Sequence, residues 1–287
     1  MGEPNSTADH DQPAGDRPTV GRRLGEFVVR EPIGAGGYGQ VYLAEQPLLD
    51  RQAVIKVLHH RHGTETGVIR RFLREARLAS RLDHPYAAHI YSFGAEPDGL
   101  LWIAMELVRG MTLSELIAER GALPLERFVP LLERLCEVVQ TAHEQGIIHR
   151  DLKPGNVMVI SRAGRLLPKL LDLGIARDLS PAVESSDGDS DVSHERSRSR
   201  SGRGLLGSPH YMAPEQWYAP ATVDQRTDIY ALGVLSFEVL TGRPPFTGLV
   251  EDILAEKQKV DPPRVVDLAP QADPRLASLA DALLARD

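Results

Sequence analysis

One cysteine in 287 residues, Cys136, excludes an internal disulfide framework and fits a reducing compartment. No run of about 18 apolar residues occurs, so no segment reads as a helix able to cross a bilayer. The stretch from Met1 to Arg17 lacks the apolar core of a secretory signal and is rich in Gly, Pro, Asp and Asn, so residues 1–23 are expected to form a disordered tail. An excess of positive charge is also missing. With 33 Lys and Arg against 40 Asp and Glu, the net charge of −7 offers no electrostatic reason for a nucleic-acid or anionic-membrane partner. No internal repeat is present, and a cytoplasmic protein is expected.

What remains is ordinary globular composition, 42% hydrophobic and 25% charged, enough to bury a sizeable core. From Phe27 to Glu106 short β-branched or aromatic-rich runs separated by Gly, Pro and Asp predict strands at 27–33, 40–44, 53–58, 89–93 and 101–106. One helix interrupts them, because Ile69, Phe72, Leu73, Ala76, Ala79 and Leu82 recur at helical spacing before Asp83-His84-Pro85. After Gly110 the pattern turns helical. Leu125, Phe128, Leu132, Leu135, Val139 and Ala142 predict one long amphipathic helix, and residues 228–240 are apolar nearly all round and therefore buried. The expected architecture is a strand-rich first lobe joined near Leu107 to a helical second lobe. Residues 184–203, acidic first and then Arg alternating with Ser, cannot bury apolar surface and predict a mobile insert at about 180–204.

Gly34, Gly36 and Gly39 form GxGxxG, a spacing shared with dinucleotide sites. Here an alternating strand, Gln40 to Ala44, follows instead of a helix, which predicts a strand-loop-strand hairpin whose backbone N–H groups can approach phosphates. A plain glycine hairpin fits the spacing as well. In the strand 53–58, alternation puts Val54 and Lys56 on one face, so that Val54 roofs a base while Lys56 reaches phosphates; a snorkelling lysine is the bland alternative. Glu75 lies on the apolar stripe of the first helix and needs a partner, for which Lys56 is the natural candidate.

The most specific segment is His149-Arg150-Asp151-Leu152-Lys153-Pro154-Gly155-Asn156. Asp151 can accept a hydrogen bond from a substrate hydroxyl, Lys153 can neutralise a transferring phosphoryl, and Asn156 can ligate Mg2+ through its amide oxygen. Two apolar runs, 157–160 and 168–171, flank turn-forming residues and predict a hairpin that brings Asn156 beside Asp172, two oxygen donors for a hard cation. An Asp and an Asn flanking a hairpin are also common turn-formers.

In order along the chain, IGAGGYGQVY, AVIKVL, HRDLKPGN, LDLGIAR and GSPHYMAPEQ resemble the signature set of the Hanks-type serine/threonine protein kinases, in their bacterial style. The resemblance covers nearly all the chain after the tail. It implies an α+β, two-lobed kinase fold over 24–287, with the first lobe at about 24–107 and the second at about 108–287. It further implies ATP with Mg2+, or Mn2+ in its place, and phosphoryl transfer to protein Ser/Thr hydroxyls. By the same matching, Asp151, Lys153, Lys56 and Glu75 are catalytic; Ile33, Gly34, Gly36, Gly39, Val41, Val54, Lys56, Met105, Glu106 and Val108 bind the nucleotide; Asn156 and Asp172 hold the metal. His149 and Leu173 are implied to be packing residues, and Asp228 to hold the catalytic-loop backbone. Arg150, Ser199, Ser201 and Ser208 are implied regulatory positions, with autophosphorylation between copies of the chain.

Three departures are visible. Val54 replaces the commoner alanine, Leu173 replaces a phenylalanine, and the arginine that usually pairs with Glu215 is not found before Asp287, which suggests a shortened domain or a fragment. A nucleotide-binding scaffold without turnover is the alternative function.

Overall fold

The computed structural model describes residues 18–36, 39–58, 66–175 and 208–285. Residues 1–17 of the expected tail 1–23 and the whole insert at 180–204, with Ser199 and Ser201, lie outside the described residues.

A twisted sheet occupies the first third of the chain. Its strands are β1 (Arg23–Leu24), β2 (Phe27–Gly36), β3 (Gly39–Gln46), β4 (Arg51–Leu58), β5 (Ile90–Ala95) and β6 (Leu101–Glu106), in the order β1-β2-β3-β4-β6-β5. Side-chain alternation gives the sheet two unlike faces. Ala53, Ile55 and Val57 of β4 pack with Phe27, Val29, Tyr42, Ala44, Trp102 and Ala104 in a core of their own. Val54, Lys56 and Leu58 turn the other way, toward Ile103, Met105 and the helices. The glycine hairpin closes between Gly36 and Gly39, and β3 then pairs with β4. A Cβ on Gly39 would come within 1.9 Å of the Val57 carbonyl oxygen, so this glycine is required first by the close approach of the neighbouring strand.

Helix α1 (Thr66–Ala79) buries Phe72, Ala76 and Ala79 against this sheet. Beyond the link after Glu106 come α2 (Leu113–Arg120), opened by a Thr112–Glu115 capping box, and α3 (Leu125–Glu144), whose buried stripe includes Phe128, Leu132, Leu135, Val139 and Ala142. A small sheet of β7 (Met111–Thr112), β8 (Val157–Arg162) and β9 (Arg165–Leu170) runs in that order. Helices α4 (Pro214–Tyr218), α5 (Arg226–Thr241), α6 (Val250–Lys259), α7 (Val265–Leu268) and α8 (Pro274–Leu283) complete the second lobe. Helix α5 is buried almost all round, and Phe72, Phe128 and Phe237 are fully enclosed in one core that runs through both lobes. Each such aromatic contributes about 1.5–3 kcal/mol of burial. Among the described residues no helix is long and apolar enough to cross a membrane.

Candidate active site

The predicted hairpin forms as β8 and β9. Ala163 and Gly164 take positive φ values of 49° and 75° in its two-residue turn, and the register pairs Val157 with Leu170. One step beyond that pair, the Leu171 amide donates to the Asn156 carbonyl at 2.8 Å, so Asn156 and Asp172 leave the hairpin side by side. Asp172 adopts φ 54°, and Gly174 follows at φ 41° beneath the loop 149–156, where a Cβ would lie 2.1 Å from the His149 carbonyl oxygen. Any larger residue at 174 would push the two segments apart.

The loop His149–Asn156 is held from below by Asp228 of α5. Its side chain is 1% exposed and accepts from the His149 amide at 2.8 Å, the Arg150 amide at 2.7 Å and His143 Nε2 at 2.7 Å. The first two bonds are those implied for this aspartate. His143, in the last turn of α3, was missed; its one sequence signal is a place next to Ala142 on the apolar stripe. His149 is buried, as its implied packing role requires. Its Nδ1 accepts from the Asp151 amide at 3.3 Å and its Nε2 faces the Leu171 carbonyl at 2.8 Å, which assigns the ring proton to Nε2. Leu173 is buried in the main core as well.

Asp151 is fixed by two neighbours in its own loop. Lys153 Nζ and Asn156 Nδ2 both donate to its Oδ2 at 2.9 Å, and Asn156 Nδ2 also reaches the Asp151 carbonyl at 2.8 Å. The donor side of the Asn156 amide is thereby committed, which leaves its oxygen as the group able to accept or to ligate. Asp151 and Asp172 line one cleft with Lys56, Leu58, Ala88, Ile90, Ile103, Met105, Leu173, Gly174 and Ile175, enclosing ≈ 520 Å³ with its open mouth included. Lys56 Nζ stands 2.9 Å from Asp172 Oδ2.

That contact corrects the expected Lys56–Glu75 pair. The Glu75 carboxylate is taken by the preceding Arg74, 2.9 Å away, with side-chain exposures of 21% for Glu75 and 75% for Arg74. The apolar stripe of α1 is Phe72, Ala76 and Ala79, and Glu75 sits at its edge, where it reaches a neighbour on its own helix instead of a partner across the cleft.

The expected nucleotide residues separate into two groups. Cross-strand register aligns Gly34 with Val41, Val41 with Lys56 and Val54 with Met105, so these positions share the cleft face of the sheet. Only Lys56 and Met105 of the group line the enclosed volume. Ile33, 49% exposed, stands on the glycine hairpin, while Glu106 ends β6 and Val108 lies in the link between the lobes. The Glu106 carboxylate accepts from Lys169 Nζ at 2.7 Å, and that ammonium also reaches the Ala87 carbonyl at 3.0 Å. Lys169 was not anticipated, since a lysine in a strand carries no signal of which carboxylate it meets.

Of the regulatory positions, Arg150 takes φ 61°, and its carbonyl accepts from Gln216 Nε2 at 2.9 Å. Ser208 opens the described part of the segment that leads to α4, its carbonyl accepting from the Tyr211 amide at 3.1 Å. Glu215 accepts from the Thr227 hydroxyl at 2.8 Å.

Comparison with known proteins agrees with this geometry. The family described as protein kinase domain matches residues 27–287. Serine/threonine-protein kinase pkn2 of Myxococcus xanthus is 43% identical over 224 residues, which cover 78% of this chain and 25% of that protein. Serine/threonine-protein kinase PrkC of Bacillus subtilis is 40% identical over 230 residues, covering 80% of this chain and 32% of that protein. The chain thus spans about a quarter to a third of the length of these relatives. The crystal structure of the Mycobacterium tuberculosis PknI kinase domain superposes with a TM-score of 0.68 at 26% identity, covering 94% of this chain and 92% of that one.

Proposed function

We propose, from the premise that this chain belongs to the protein kinase family, that it transfers the γ-phosphate of ATP to serine or threonine hydroxyls of proteins. One observation carries the reading: Asp151, locked by Lys153 and Asn156, shares a cleft with Asp172 and Lys56 between the sheet and the helices. The acceptor hydroxyl oxygen bonds to the γ-phosphorus as the bond to the β–γ bridging oxygen breaks and ADP leaves. Asp151 accepts the hydroxyl proton, and Lys153 neutralises charge on the phosphoryl in flight. The glycine hairpin, Val41, Val54 and Met105 enclose the nucleotide, with backbone groups of Glu106 and Val108 facing the base.

The donor chemistry fits a divalent cation. Asp172 and the Asn156 amide oxygen are hard ligands set side by side, and no group of three or more His, Cys, Asp or Glu that could hold an ion alone occurs among the described residues. Mg2+ takes one or two protein oxygens and completes its shell with phosphate and water, and Mn2+ suits the same donors. Asp172 and Asn156 would hold such a cation, which would supply charge to neutralise phosphate oxygens. On this reading Lys56 trades Asp172 for the nucleotide phosphates, and Glu75 leaves Arg74 to aim it.

Protein substrates and a second copy of the chain are the proposed partners. A phosphate on Ser199 or Ser201 would add about −1.5 to −2 charge and strong acceptors able to pair with arginine. The test is incubation with MgATP and a generic protein, followed by phosphosite mapping. Phosphoserine or phosphothreonine formed by the wild type and not by Asp151→Asn is expected; phosphotyrosine alone would overturn the assignment. The pairing of Lys56 with Asp172 and Glu75 with Arg74 favours one alternative, a nucleotide-binding scaffold, and MgATP binding without any transfer would establish it.

A further inference from the structure

Lysine is rarely enclosed, because an ammonium loses its hydration unless every N–H finds an acceptor. Lys257 of α6 is 2% exposed. It follows Ile253 and Leu254 on the buried stripe of the helix. Its Nζ donates to three backbone carbonyls in one short stretch: Pro209 at 2.8 Å, His210 at 2.7 Å and Met212 at 2.7 Å. The Tyr230 ring of α5 lies 5.2 Å from the same nitrogen. Three acceptors call for three N–H groups, which the ammonium has and the neutral amine lacks.

The stretch it grips is tied at its other end to the catalytic loop. The Ala213 amide donates to Gln216 Oε1 at 3.0 Å, and Gln216 Nε2 donates to the carbonyl of Arg150, the residue before Asp151, at 2.9 Å. Residues 208–213 thus form a wall hung between α6 and, through Gln216, the carbonyl of Arg150, the residue before Asp151.

We propose that Lys257 is a positioning residue for the protein substrate: it fixes the backbone of residues 209–212 beside the catalytic loop, so that the acceptor chain meets a preformed wall. This rests on the phosphotransfer reading. It also supplies a cation near Glu215, whose charge favours the ammonium even though Thr227, not Lys257, bonds the carboxylate. Burial works against the charge and pulls the Lys257 pKa down to about 7. The other titratable groups around it are His210, held below its usual pKa by burial and by Lys257, the Tyr230 phenol, and the Tyr211–Glu238 pair.

Two measurements test the assignment on the whole chain. Steady-state kinetics with a peptide acceptor are run from pH 6 to 8.5 on the wild type, Lys257→Met and Lys257→Arg. Lys257→Met is expected to raise the peptide KM about tenfold or more while the ATP KM stays within about twofold, since hydrogen bonds from a charged donor are lost at the wall alone. The wild-type peptide KM is expected to climb with pH as the third N–H is lost, and Lys257→Arg is expected to restore binding and flatten that climb. Hydrogen exchange without nucleotide is the second measurement. Faster exchange at 209–213 in Lys257→Gln, with 149–156 unchanged, supports the hold. Peptide and ATP KM values rising together with a general loss of protection, or no change in either measurement, would overturn it. A wild type that binds MgATP but phosphorylates no peptide defeats the phosphotransfer reading itself, and the exchange pattern then decides the grip on 209–212 alone.

Discussion

Two carboxylates in this molecule face the same physical problem and solve it differently. Asp228, 1% exposed, gathers two backbone amides and a histidine, and together they suspend the catalytic loop. Glu75, 21% exposed, settles on the arginine next to it. A buried backbone N–H has no water and no rotamer to fall back on, so its partner is dictated. A half-buried carboxylate beside long, flexible cations has several partners of nearly equal free energy, and a small helix rotation chooses among them. The catalytic loop is therefore rigid in arrangement, whereas the ion pairs beneath the sheet can be exchanged.

The comparison can be broken first at the rigid end. Asp151→Asn is expected to cut phosphoryl transfer by about 10²–10⁴-fold, the usual range for loss of a positioned base, while leaving MgATP affinity nearly intact. A loss of nucleotide affinity equal to the loss of turnover would mean that the loop is not preorganised without that charge. Asp228→Ala strands three donors below the loop and is expected to lower stability by roughly 3–5 kcal/mol in urea unfolding, with Glu75→Ala below about 1 kcal/mol in the same assay. Similar costs for the two would erase the distinction.

The exchangeable end is sharpened by double-mutant cycles on Lys56→Met. Without nucleotide, stability is expected to couple Lys56 to Asp172 by about 0.5 kcal/mol or more and to leave Lys56 and Glu75 additive. In turnover, Lys56 and Glu75 are expected to couple, because the loss in Lys56→Met/Glu75→Ala falls well short of the product of the single losses. Coupling to Glu75 in both assays would show that the pair exists from the start.

The smallest expected effect is a pH trend at Glu238. Burial raises its pKa above the ordinary carboxylate value, although the Tyr211 hydroxyl donates to it and opposes the rise. The folded protein therefore keeps a proton that the unfolded chain has already released. The stability this contributes is full below the ordinary carboxylate pKa and is lost as pH rises through the folded value. Glu238→Gln, which carries no charge at any pH, is expected to gain in Tm relative to wild type as pH climbs through that window. A constant difference across the range would place the carboxylate in solvent.

Much of this was readable from residue order. The strand 101–106 has the bounds its residues predict, the turn expected at 161–164 narrows in the structure to Ala163-Gly164, and the buried α5 follows from its continuous apolar run. The loop constellation was equally legible, since Asp151, Lys153 and Asn156 lie within six residues and chain geometry alone brings them together. Lys257 left a signal that was overlooked. It stands three residues after Leu254 on a buried stripe, the same pattern that drew attention to Glu75. Lys169 and Gln216 left none, because both are polar residues on half-exposed positions whose partners lie 63 and 66 residues away.

By itself, then, the sequence determined the two-lobed layout, the hairpins and the chemistry available at the catalytic loop, because hydrophobic period, turn residues and short covalent spacing act locally. Only the tertiary structure decided that Lys56 meets Asp172, that Glu75 meets Arg74 and that Lys257 grips residues 209–212. Those choices are made by long side chains among competing partners, and burial and distance, which no local pattern encodes, select the winner.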